Sequence, residues 1–91
     1  MRKRVHVFVS GKVHGVFFRA NTKEKALSLG LKGWVRNTHD GIEAVIEGKE
    51  KEVGELLDWM KKGPPLAEVE KVNIEEQDYK GEFDDFKIHG Y

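Results

Sequence analysis

Apolar residues alternate at Val5, Val7 and Val9 with Arg4, His6, Phe8 and Ser10 between and around them, a period of two that predicts a strand over residues 4–10. Phe18, Thr22, Ala26 and Leu29 then line one side of a predicted helix over 18–29, with Leu27 flanking them and Gly30 placed to cap its C-terminus. Residues 31–37 read as a second strand and residues 41–48 as a third, joined through an Asp40-Gly41 turn signal. In the third, Ile42, Ala44 and Ile46 share one face while Glu43 and Glu47 share the other. Val53, Leu56, Leu57 and Met60 form a buried stripe on a second helix over 49–62, with Lys61 and Lys62 suited to its C-terminus and Gly63-Pro64-Pro65 ending it. Val69, Val72 and Ile74 mark a fourth strand whose phase slips at Glu70-Lys71, the pattern of a β-bulge. A polar loop over 78–82 leads to a short last strand over 83–89, with Phe86 and Ile88 on one face.

The element order is β-α-β-β-α-β plus a terminal strand. Right-handed crossovers then predict an α+β fold, the ferredoxin-like sandwich, with an antiparallel sheet and two helices on one face. The 91 residues suit one domain over 1–91, burying roughly 60–65% of its unfolded surface, and no linker, repeat or low-complexity stretch interrupts it. The apolar run after the basic Met1–Arg4 start is confined to residues 5–9 and contains His6, too short for a signal peptide or a membrane span.

Composition adds three points. The chain has no cysteine, which rules out disulfides and thiol chemistry and fits the cytoplasm. Its high charge content, rich in Lys and Glu, resembles that of heat-adapted proteins. The net charge of zero hides an asymmetry: residues 1–40 hold nine Lys and Arg against two acidic residues. A small anionic ligand near that half meets a favourable field, unless the two halves interleave in the fold and cancel.

The candidate chemistry sits in the basic half, in G-K-V-H-G-V-F-F-R over 11–19. Gly11 and Gly15 allow a tight loop whose backbone can approach a ligand closely. Arg19 falls in the first helical turn, where the helix dipole disfavours a cation by roughly 0.3–1 kcal/mol, and no acidic side chain offsets it before Glu24. A glycine loop, a helix N-terminus and a guanidinium together read as a phosphate site, against the plainer reading of a βα turn with a surface arginine. The loop is not a Walker loop, because Val16 follows Gly15. Its spacing resembles the cradle of phosphatases whose cysteine lies six residues before an arginine, but Val13 stands at that position. The loop reads as a cradle without a nucleophile.

The same stretch resembles the first signature of the acylphosphatase family, and G-W-V-R-N-T-H-D-G over 33–41 is similar to the second. The separation between them is similar too, and the likeness runs to the closing F-K-I-H-G-Y. The resemblance implies the ferredoxin-like sandwich and hydrolysis of acyl phosphates to a carboxylate and inorganic phosphate, with no metal or cofactor. It implies Arg19 as the phosphate-binding arginine and Asn37 as the residue that orients the attacking water. The backbone N–H groups of His14, Gly15, Val16, Phe17, Phe18 and Arg19 would form the cradle. The family commonly has Gln where this chain has His14, a position thought to contribute mainly its backbone. The implied substrate is a small acyl phosphate, for which carbamoyl phosphate and 1,3-bisphosphoglycerate both fit the chemistry, acted on by a monomer without nucleic-acid or membrane partners.

Other residues read as structural. Read alone, Asn37 before a turn is a residue favoured there for local hydrogen bonds; the second signature reverses that. Phe17 and Trp34 read as packing residues and Lys12 as a solvated loop lysine. His6, His14, His39 and His89 lack metal-ligand spacing, and Ser10 has no His/Asp partner pattern for a nucleophile. The fold also hosts RNA-recognition modules, which stack bases on aromatics of the central strands. The third strand here has two glutamates and no aromatic, and the first offers only Phe8. A non-catalytic binding module, and the N-terminal domain of a larger carbamoyl-transfer maturation protein, are further alternatives. The start at Met1 is expected to be the natural one.

Overall fold

The computed structural model describes residues 1–90; Tyr91, the last residue of the closing motif, lies outside the described residues. Strand β1 (Arg2–Lys12) leads into helix α1 (Phe18–Ser28). The hairpin of β2 (Lys32–Asn37) and β3 (Gly41–Lys49) follows, then α2 (Glu50–Lys62), β4 (Glu68–Gln77) and β5 (Phe86–His89). The sheet order is β4-β1-β3-β2-β5. Its first four strands pair antiparallel, as the sandwich requires. Strand β5 adds to the edge of β2 in parallel, making the five-stranded sheet mixed.

Register follows side-chain alternation. Val5, Val7 and Val9 pair with Ile46, Ala44 and Ile42, and these in turn face Gly33, Val35 and Asn37 on β2. All six residues of the β1–β3 pairing are fully buried, and they pack with Phe18, Ala26, Val53, Leu56 and Met60 of the two helices. Leu27, expected to flank that core, is 48% exposed. Helix α1 ends as its glycine suggests: Leu31 N–H donates to Ala26 and Gly30 N–H to Leu27, with Gly30 at φ 70°, a Schellman motif. The expected bulge is present. Ser10 pairs with Lys71 and Gly11 with Val69, leaving Glu70 as the extra residue.

Two expectations are corrected. Gly11 belongs to β1 and not to an open ligand loop: a Cβ there would lie 2.3 Å from the Glu68 carbonyl oxygen, so its close approach is to the bulged β4 backbone. The last strand begins at Phe86 rather than at residue 83. Residues 84–85 form a bend: the Asp85 carboxylate accepts the Phe86 N–H at 2.8 Å, and pairing with β2 starts only where its carbonyl accepts Gly33 N–H at 2.9 Å. Phe83 instead lies against the Arg4 guanidinium, 5.3 Å from ring centroid to Cζ.

The sheet face away from the helices is polar and cross-linked. Glu47 is 2% exposed. It accepts Arg4 Nη1–H at 3.0 Å and the backbone N–H groups of Lys80, Gly81 and Glu82 at 3.0–3.2 Å. One carboxylate therefore docks the 80–82 loop onto the sheet. Burial opposes its ionisation, but the Lys80 N–H, the Arg4 guanidinium and the Gly81 N–H outweigh that and hold its pKa below the usual carboxylate range.

Candidate active site

The segment between β1 and α1 is anchored by two valines. Val13 is 1% exposed and Val16 6%, so the loop is pulled against the core from both sides while Gly15, at φ 72°, makes the left-handed turn between them. Phe17 precedes the helix in the same left-handed region, at φ 63° and ψ 27°. Helix α1 has no side-chain N-cap and no acidic residue in its first turn. Its leading N–H groups are thus left for a partner outside the helix, and the dipole favours an anion there.

Asn37 is the last residue of β2. Strand alternation puts it on the face of Val35, the helix-covered side, whereas its neighbour Arg36 pairs across the opposite face with Glu43. Beyond it the turn closes on itself: Thr38 N–H donates to the Gly41 carbonyl at 2.8 Å, and Gly41 N–H donates to Thr38 Oγ1 at 3.1 Å.

These two segments meet in a cleft of about 420 Å³ lined by Val13, Gly15, Phe17, Phe18, Arg19, Ala20, Asn37 and Ile88. Of the sequence-derived site residues, it brings together Gly15, Phe17, Phe18, Arg19 and Asn37. The side chains of His14 and Val16 are not part of the lining. Val16 points into the core, and His14 reaches sideways to the Gly41 carbonyl at 2.8 Å. Lys12 is exposed at the end of β1, outside the lining. Phe17, read above as a packing residue, is 75% exposed. Because α1 starts immediately after it in a left-handed turn, its ring is directed away from the core that takes Phe18.

Three lining residues, Val13, Ala20 and Ile88, were given no site role by the sequence, and Ile88 is the one that comes from far along the chain. Its pairing with Phe86 on one face was readable, but its place depends on β5 lying beside β2 with Val35 opposite Ile88, and no local pattern encodes that neighbour. Val13 and Ala20 join the lining through the loop geometry.

Three of the nine cations in the basic half are met by interleaving. Lys3 pairs with Glu76, Arg4 with Glu47 and Glu82, and Arg36 with Glu43, each a cation of the basic half against a carboxylate of the acidic half. Burial works against the Glu43 charge, yet hydrogen bonds from His6 and Arg36 prevail and keep its pKa low. Arg19 takes part in none of the ion pairs among the described residues, and it is the one ionisable side chain in the cleft lining. Among the described residues no group of three His, Cys, Asp or Glu side chains is placed to hold a metal ion, and no helix is long and apolar enough to cross a membrane.

Comparison with known proteins bears on the family and the fold. The sequence profile described as Acylphosphatase matches residues 5–88. The chain is 55% identical over 89 residues to an acylphosphatase of Syntrophus aciditrophicus, covering 97% of this chain and 93% of that protein. The fold superposes on the structure of an acylphosphatase from Coxiella burnetii with a TM-score of 0.92 and 42% identity, covering 97% and 93% of the two chains. It also matches full-length HypF in the phosphate- and nucleotide-bound form, with a TM-score of 0.91 and 30% identity, over 99% of this chain but 12% of that one. With a family match over residues 5–88, its ferredoxin-like sheet and acylphosphatases matched over nearly their whole length, the chain belongs to the acylphosphatase family of hydrolases.

Proposed function

We propose that the cleft hydrolyses acyl phosphates by direct attack of water on phosphorus, with Arg19 and the loop N–H groups of residues 14–19 holding the phosphoryl group and Asn37 orienting the water. The observation that carries this reading is the meeting of an ion-pair-free Arg19 with Asn37 in one cleft at a helix N-terminus.

The chemistry asks little more of the protein. An acyl phosphate is a mixed anhydride, and its carboxylate is a good leaving group without an acid to protonate it. The bond from phosphorus to the acyl oxygen breaks with its electron pair going to the carboxylate, while the water oxygen bonds to phosphorus. Catalysis is then positioning plus neutralisation of phosphoryl oxygens. The arginine fork and the backbone N–H groups perform the second task. The Asn37 amide oxygen accepts a hydrogen bond from the water but is too weak a base to take its proton, which passes to a phosphoryl oxygen of the substrate. No residue in the lining is a competent nucleophile.

We take residues 1–91 as one domain acting as a cytoplasmic monomer, without cofactor or nucleic-acid partner. The lack of cysteine supports the compartment. The exposed edge strand β4 carries Glu68, Glu70, Lys71, Glu75 and Glu76, charges that discourage edge-to-edge association.

The test is hydrolysis of benzoyl phosphate, followed by ultraviolet absorbance with chelator present, for the wild type, Arg19→Ala and Asn37→Ala. Each substitution is expected to lower kcat by about 10²–10³, the usual loss for one preorganised group. A wild type no faster than buffer overturns the hydrolase mechanism and leaves a phosphate-binding module.

A further inference from the structure

We propose that Phe17 and Ile88 form a platform for the acyl group, so that the cleft prefers acyl phosphates with an apolar, and above all aromatic, acyl portion. This rests on the phosphoryl assignment above and adds the class of the group that leaves.

Phe17 is poorly explained by folding. It is the only non-glycine residue with a positive φ among the described residues, a backbone region that an L-phenylalanine enters at a cost glycine does not bear. Its ring is nevertheless 75% exposed, so burial does not offset that strain. Strained non-glycine residues of this kind cluster at functional sites; the N–H cradle proposed above accounts for the backbone, which glycine would serve at lower cost, and leaves the ring to be explained. The ring lies between two buried neighbours, Val16 and Phe18, which fix the backbone on either side of it.

Ile88 adds a second apolar surface to the cleft. It sits on the helix-facing side of β5 opposite Val35, yet it is 39% exposed because it borders the cleft. The lining therefore divides. Gly15, Arg19 and Asn37 carry its polar chemistry, and Val13, Phe17, Phe18, Ala20 and Ile88 are apolar. The volume of about 420 Å³ falls within the ~300–1,000 Å³ range of small-molecule pockets, leaving room beyond the phosphoryl group for the acyl portion.

Charge narrows the class further. Arg19 is the single ionisable side chain of the lining, and the phosphoryl group occupies it. A second anion on the acyl portion finds no cation in that lining, and a carbamoyl NH₂ gains little from its apolar side chains. An aromatic acyl group instead buries a flat face against the Phe17 ring.

The experiment compares kcat/KM for benzoyl phosphate and acetyl phosphate in the wild type, Phe17→Asn and Ile88→Thr, with melting temperature recorded for each. Asparagine accepts the left-handed backbone, so Phe17→Asn removes the ring without adding strain and is expected to fold at least as stably as the wild type. The ratio of benzoyl to acetyl kcat/KM is expected to fall about tenfold in Phe17→Asn and several-fold in Ile88→Thr, mainly through KM for benzoyl phosphate, as loss of apolar contact predicts. A ratio within twofold of wild type in Phe17→Asn overturns the platform while wild-type turnover leaves the hydrolase reading standing. A wild type that turns over neither substrate overturns both.

Discussion

His14 Nε2 donates a hydrogen bond of 2.8 Å to the backbone carbonyl oxygen of Gly41. A carbonyl can only accept, so Nε2 carries the hydrogen. The same oxygen also accepts Thr38 N–H, and Thr38 follows Asn37 directly. One imidazole thus ties the loop proposed to hold phosphate to the turn proposed to hold water, two segments that share no strand pairing at this point.

His14→Ala is therefore expected to lower kcat by about fivefold, the worth of one hydrogen bond near 1 kcal/mol. His14→Gln should restore most of it, because the glutamine amide also donates. Steady-state kinetics with benzoyl phosphate check this. If the alanine variant is as fast as wild type, the two loops hold their spacing without the imidazole.

Arg19→Lys keeps the charge but loses the planar fork. The expected result is a kcat loss of at least about tenfold with a smaller change in inhibition by inorganic phosphate, since a point charge still attracts the anion. Equal kcat in the lysine variant would mean that Arg19 acts only through its charge.

The buried Glu47 carboxylate makes stability depend on acid. Its pKa is lowered in the folded state. Its contribution is fully present above the ordinary glutamate pKa of about 4.3 and is lost as pH falls through the lower folded value. Glu43, lowered as well, acts in the same direction. Glu47→Gln faces its new NH₂ group toward donors from Arg4 and the 80–82 backbone, and is expected to cost about 3 kcal/mol near neutral pH. Urea titrations between pH 3 and 7 should show a shallower acid loss in the variant than in the wild type.

Two glycines should respond in opposite directions to alanine. At Gly11 the new methyl collides with the Glu68 carbonyl and Glu70 nitrogen of the backbone, so Gly11→Ala should destabilise by more than about 2 kcal/mol. Gly54 lies inside α2 with nothing within 4 Å of an added Cβ, so Gly54→Ala should stabilise by about 0.5–1 kcal/mol. For a domain of this size the latter is a rise of roughly 4–8 °C in Tm at most, measurable by calorimetry.

Much of this architecture was legible without coordinates because its signals are local. Val5, Val7 and Val9 declare a strand face, Val53 to Met60 declare a helix stripe, Gly30 declares a helix end and the slip at Glu70 declares a bulge. Each depends on residues a few positions apart, where backbone period alone decides which side chains meet the core. Arg19 and Asn37 were legible as a pair through two signatures. Tertiary structure decided what those signals leave open. It made β5 parallel to β2 and brought Ile88 to the cleft. It turned Phe17 outward, folded the 80–82 loop onto Glu47 and joined His14 to Gly41. Those contacts link residues far apart in the chain, and their energies arise only once the sheet order has chosen which distant segments become neighbours.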